Sequence, residues 1–248
     1  MRILLLNPNT TTAITDRLYL AATEVTASNT VLVPLTAPRG VPYIATRAEA
    51  QIGGAVALEM LAQEHRNADA AIIAAFGDPG LLAARELFDI PVIGMAESAM
   101  LAACMLGRSF AIVTFASALG PWYRECVEMH GLSGRCAGIR TLDGAFRSIS
   151  DVQEEKEDLL VELANRAVAE LETDVIILAG APLAGLAKKV KSRIAVPVVD
   201  QVQAAVKLTE SILALRTNKA TEGTFRRPAA KTTMGLPIDL QRRIEHAD

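Results

Sequence analysis

Short, nearly uninterrupted apolar runs alternate along the chain with longer stretches whose apolar residues recur at helical spacing. That alternation predicts parallel α/β units, because strands covered on both faces carry few polar positions. Strands are predicted over residues 2–7, 30–35, 70–76 and 91–95, and again over 109–114, 136–142, 174–179 and 197–200. Helices are predicted between and after them, over 13–26, 47–67, 81–88, 96–106, 121–130, 152–172, 184–192 and about 202–215.

The two sets of strands are related by an internal repeat. Asp69-Ala-Ala-Ile-Ile-Ala-Ala75 matches Asp174-Val-Ile-Ile-Leu-Ala-Gly180 at an offset of 105, with Gly80-Leu81 on Gly185-Leu186 in the same register. Ile90-Pro91-Val92-Ile93 matches Val196-Pro197-Val198-Val199 at 106, and residues 2–7 lie on 109–114 at 107. The fold class is therefore α/β, with two pseudo-symmetric Rossmann-like lobes, each a mainly parallel sheet with flanking helices. The expected boundaries are 1–97 plus about 202–216 for the first lobe, 98–201 for the second, and 217–248 for a polar C-terminal extension. Ligands of such sheets bind beyond the carboxyl ends of the strands. That places residues 7–11, 76–80, 96–97, 114–117, 180–183 and 200–201 at a cleft between the lobes.

Composition narrows the functional classes. The chain has 248 residues, 51% of them hydrophobic, and a formal net charge of −3. This is no basic nucleic-acid surface. No apolar run reaches the roughly 18 to 20 residues of a membrane helix. Together with the absence of a secretory leader pattern, this leads to an expectation of a cytoplasmic protein with a small-molecule substrate, without nucleic-acid or membrane partners. Cys104, Cys126 and Cys136 make neither a disulfide framework nor a Cys-rich zinc site, and His65, His130 and His246 have no partner at zinc-ligand spacing. No glycine-rich dinucleotide fingerprint or phosphate-loop lysine follows the first strand. No cofactor and no metal are therefore expected.

The cleft segments suggest an oxyanion site. Asn7, Asn9, Thr10, Thr114 and Ser117 offer neutral donors, and backbone N–H groups follow Ala75 and Gly180. Ala75, Phe76, Gly180 and Ala181 are assigned to the substrate-binding wall. Glu97 or Asp78 is the expected base and Tyr123 the acid, because a carboxylate in a closed apolar cleft is shifted toward neutrality. Each has a structural alternative: Asp78 or Glu97 as a helix cap, Trp122 and Tyr123 as wall residues, and Asp200 as a loop anchor. His130 reads as the end of a helix, and Cys126 as lying away from both strand-end turns.

The stretches ILLLNPNTT, AAFGDPGLLAARE with PVIGMAESA, and PVVDQVQAAVKL resemble the hydantoin racemase branch of the aspartate/glutamate racemase superfamily, over about residues 1–215. The resemblance implies a cofactor-independent active site between two lobes and assembly from identical subunits. It also implies two cysteines on opposite faces of a carbon acid, one removing and one returning a proton. Those positions fall on Ala75 and Gly180 here, and neither residue transfers a proton. The expectation is thus a thiol-independent enzyme acting on a small cyclic amide, imide or lactone, as lyase, hydrolase or isomerase. The alternatives are racemisation by non-thiol bases and a non-catalytic binding protein. Loss of the two side chains is expected to open space in the cleft.

Overall fold

The computed structural model describes every residue except 144 and 146. All eight expected strands form: β1 Arg2–Asn7, β2 Val31–Thr36, β3 Ala70–Ile73, β4 Val92–Gly94, β5 Phe110–Thr114, β6 Cys136–Thr141, β7 Val175–Leu178 and β8 Val198–Asp200. They build two all-parallel sheets with the orders β2-β1-β3-β4 and β6-β5-β7-β8. The same order in both halves is what the sequence repeat requires.

Helices α1 Thr12–Thr23, α2 Arg47–Glu64, α3 Leu81–Leu87, α4 Met95–Leu106, α5 Gly120–Met129, α6 Val152–Leu171, α7 Leu186–Val190 and α8 Gln201–Leu215 connect and follow the strands. A Thr46/Glu49 capping box starts α2, its side chains satisfying backbone N–H groups reciprocally. β1 shows why its run is apolar throughout. Ile3 and Leu5 face the large core that runs through both lobes, while Leu4 and Leu6 face a second core under α2 and α3. The helices that end each half cross over. α4 packs against β7 and β8, and α8 packs against β3, β4 and α4. The carboxyl ends of β1, β3, β5 and β7 converge between the halves.

The polar tail contains an unexpected helix, α9 Ile238–Glu245, which packs on α2. Leu240 is buried against the second core. Arg243, 3% exposed, donates to the Leu87 carbonyl and pairs with Asp89 and Asp248. Among the described residues no helix is long and apolar enough to cross a membrane.

Candidate functional site

The turns after β3 and β7 face each other across a small cavity of about 20 Å³. Its lining comes from both halves: Asn9, Ile14, Tyr43, Ile44, Ala75, Phe76, Trp122, Tyr123, Gly180, Ala181 and Pro182. Six of the residues assigned to the cleft from sequence are thus brought together here: Asn9, Ala75, Phe76, Tyr123, Gly180 and Ala181. Pro182 belongs to the 180–183 segment placed at the cleft, whereas Tyr43 was not assigned. Tyr43 comes from the loop before α2, far from any strand end, so its approach depends on tertiary folding.

The lining is polar only through neutral groups. Asn9 Oδ1 accepts from Asn7 Nδ2 and Thr11 N, which leaves Asn9 Nδ2 without a hydrogen-bond partner among the described residues. Burial pushes the Tyr123 phenol well above its usual range, although Thr114 hydrogen-bonds to it. Burial, with Glu49 nearby, raises Tyr43 as well. Both phenols are therefore neutral near pH 7, and because the Thr114 hydroxyl donates elsewhere, the Tyr123 O–H is the donor in its bond with Thr114.

Several expected roles are corrected. Asn7 turns inward, its Nδ2 serving Asn9 and the Thr15 hydroxyl. The Thr114 hydroxyl donates to the Ala179 carbonyl. Thr10 and the exposed Ser117 lie outside the cavity lining. The Gly180 N–H, read as close to an oxyanion donor, donates to Gln201 Oε1 at 3.0 Å, and Gln201 Nε2 donates back to the Gly180 carbonyl. Asp200 caps α8 through Val202 N and Gln203 N and accepts from Gly185 N at 2.6 Å.

Neither expected base reaches the cavity. Asp78 is a cap: Oδ1 accepts from Ala96 N and Oδ2 from Glu97 N, both at 2.8 Å, at the start of α4. Glu97 is gripped by the Arg85 guanidinium and lies 3.4 Å from His130 Nδ1. Burial works to raise Glu97, but His130 and Arg85 outweigh it and hold the carboxyl down at about 2. It is a poor proton acceptor at neutral pH. His130 ends α5, as expected, yet its ring is buried between Asp78 and Glu97. Burial disfavours its charge, and the two carboxylates more than compensate, pushing it up to about 9.

Cys126 also departs from expectation. α5 passes over the turn after β3 and brings Cys126 into one groove wall with Gly77 and Asp78. Burial, followed by the charges of Asp78 and Glu97, raises this thiol well above its usual value, so it stays protonated. The sequence signal for this cluster was the i, i+4 spacing of Cys126 and His130 on one helix.

The small residues at 75 and 180 do not leave an open cleft. A Cβ placed on Gly180 would lie 2.7 Å from Phe115 Cε1 and 3.4 Å from the Tyr123 hydroxyl, and Gly180 has φ +112°. Phe115 is fully buried and cannot retreat cheaply. Gly180→Cys is therefore expected to cost about 3 kcal/mol, from backbone strain plus overpacking. A urea titration checks this, and an unchanged midpoint would show that Phe115 does not fill that space.

The family model described as Asp/Glu/Hydantoin racemase matches residues 3–209. A hydantoin racemase of Paenarthrobacter aurescens is 32% identical over 93% of this chain and 99% of its own length. Among solved structures, an allantoin racemase from Klebsiella pneumoniae superposes with a TM-score of 0.91 at 34% identity, covering 98% of each chain. An allantoin racemase from Pseudomonas fluorescens gives 0.89 at 30% identity, covering 95% of this chain and 100% of its own.

Proposed function

The chain belongs to the Asp/Glu/hydantoin racemase family, and from that premise we propose that it acts on a small uncharged cyclic amide, of the hydantoin and allantoin kind, by a thiol-independent route. The observation that carries this reading is the lining of the cavity between Ala75 and Gly180. Its polar side chains are an amide and two phenols, together with the Trp122 indole, and among the described residues no Cys, His, Asp, Glu, Lys or Arg lines it. A substrate carboxylate would find no cation to pair with there. A ring carbonyl would find neutral donors.

Such donors polarise the carbonyl and acidify the adjacent C–H. One well-placed donor is worth about 10²- to 10³-fold in rate. A positioned base is worth a further 10²- to 10⁴-fold, and the lining holds none. Proton exchange then runs through water admitted with the ligand, and turnover is slow by that margin. Ligand entry requires the lobes or the Tyr43 loop to move, because a cavity of about 20 Å³ has room for little more than one water.

The narrowness of that cavity favours a second reading, a binding protein that holds the ring without turnover. One experiment separates the two. Binding of hydantoins and allantoin is measured by calorimetry, and exchange at the acidic carbon by deuterium uptake. The enzyme reading expects binding, slow exchange, weaker exchange in Tyr123→Phe, and no effect of thiol alkylation. Binding with background exchange selects the binding protein. Exchange abolished by alkylation overturns the thiol-independent route, and failure to bind any uncharged ring overturns both readings.

A further inference from the structure

On the far side of Trp122 from the cavity, α2, the turn at residues 77–80 and α5 enclose a groove of about 480 Å³, with Asp78 and Cys126 in its wall. We propose that Asp78, Cys126 and His130 form a binding site for a zinc-type divalent cation, whose fourth coordination position opens on this groove. The three donor atoms already lie within 4.8 Å of one another. Tetrahedral zinc with sulfur, nitrogen and oxygen ligands needs them roughly 3.3 to 3.8 Å apart. His130 Nε2 and Asp78 Oδ2 are at 3.0 Å, so the closure falls mainly on the Cys126 side chain. Cys126 and His130 share one face of α5 at i, i+4.

The surroundings are those of a supported metal site. When Nε2 turns from Asp78 to the metal, Nδ1–H points at Glu97 Oε1, 3.4 Å away, and Glu97 is itself fixed by Arg85. A carboxylate behind the ligating histidine orients the ring and strengthens it as a ligand. Asp78 keeps its Oδ1 bond to Ala96 N, which holds the ligand in place. Charge balances too. The cation displaces one proton from the His130 imidazolium and one from the Cys126 thiol, so the cluster with Arg85 has the same net charge before and after. Thiolate with imidazole selects zinc or cobalt over magnesium and calcium. Three protein ligands and one open position are the arrangement that admits water or a substrate oxygen.

The test uses the full chain, stripped with a chelator and dialysed against zinc. One zinc per chain is expected by elemental analysis, with a raised thermal midpoint. Cobalt loading is expected to give a sulfur-to-metal charge-transfer band and the visible bands of tetrahedral cobalt. Cys126→Ser should lose the charge-transfer band, and Glu97→Gln should weaken binding by about 10- to 100-fold. A wild-type chain that retains no zinc, or a cobalt spectrum lacking the sulfur band, overturns the site even if both variants misfold. Zinc retention unchanged in Cys126→Ser and His130→Gln overturns it as well.

Discussion

Gly77→Ala is expected to destabilise the chain by about 4 kcal/mol. Two independent costs add. Gly77 has φ +111°, a conformation that costs a residue with a side chain about 1–3 kcal/mol. The added Cβ would also sit 2.2 Å from Trp122 Cζ2. Trp122 is 8% exposed and packs against Tyr123, whose ring in turn packs on Phe76. Moving the indole therefore disturbs the whole aromatic wall, and overpacking of this kind costs about 1–3 kcal/mol more. For a domain of this size the melting midpoint should fall by about 12 °C. Trp122 is the only tryptophan in the chain, so its emission reports the same event directly and should shift to longer wavelength in the folded variant. A midpoint within about 1 °C of wild type, with unchanged emission, would falsify the packing of Trp122 on Gly77.

The scaffold around this wall was legible because parallel strands covered on both faces leave a local signature. Ile72 and Ile177 sit at matching places in β3 and β7, and the repeat offset of 105 read from sequence is the offset between the strands themselves. Strand ends were overrun where the chain peels away. Ala74 still donates to Leu6, but the residues beyond it form the turn. The direction of side chains was not legible. Glu97 lies three residues past the end of β4, where a cleft residue is expected, yet its carboxylate is drawn to Arg85 on α3, twelve residues earlier. Asp78 was read as a cap or a base. It caps α4 rather than the adjacent α3, because the turn and the start of α4 meet only after β3 and β4 pair. Phe115 lies in the 114–117 segment placed at the cleft, but nothing in an ordinary apolar residue signals that its ring closes the space at Gly180. α9 was hidden by polar composition, since its anchor is the charged Arg243, buried by partners from α3 and its loop.

Asp78→Ala is expected to be the most damaging substitution, at about 5 kcal/mol in metal-free protein, and comparison with Asp78→Asn divides that loss into its sources. The Asp78 carboxylate is buried and accepts three hydrogen bonds, from Ala96 N, Glu97 N and His130 Nε2. Alanine leaves the α4 N-terminus uncapped and strips the imidazolium of one of its two carboxylates. Breaking a buried ion pair of this kind costs about 3–5 kcal/mol. Asp78 also has φ +50°, a left-handed conformation that costs alanine about 1–2 kcal/mol and that asparagine tolerates. Asparagine keeps the backbone and one N–H acceptor and removes only the charge, so about half the loss should remain. His130 reports the same difference. Its ionisation, pushed up to about 9 by the two carboxylates, should fall in both variants, because Glu97 alone then opposes the cost of burial. The measurements are urea unfolding and an NMR titration of His130. Equal losses in the two variants would assign the whole effect to the ion pair, and a loss below about 1 kcal/mol in Asp78→Ala would mean that the turn after β3 is not held to α4 and α5 through this carboxylate.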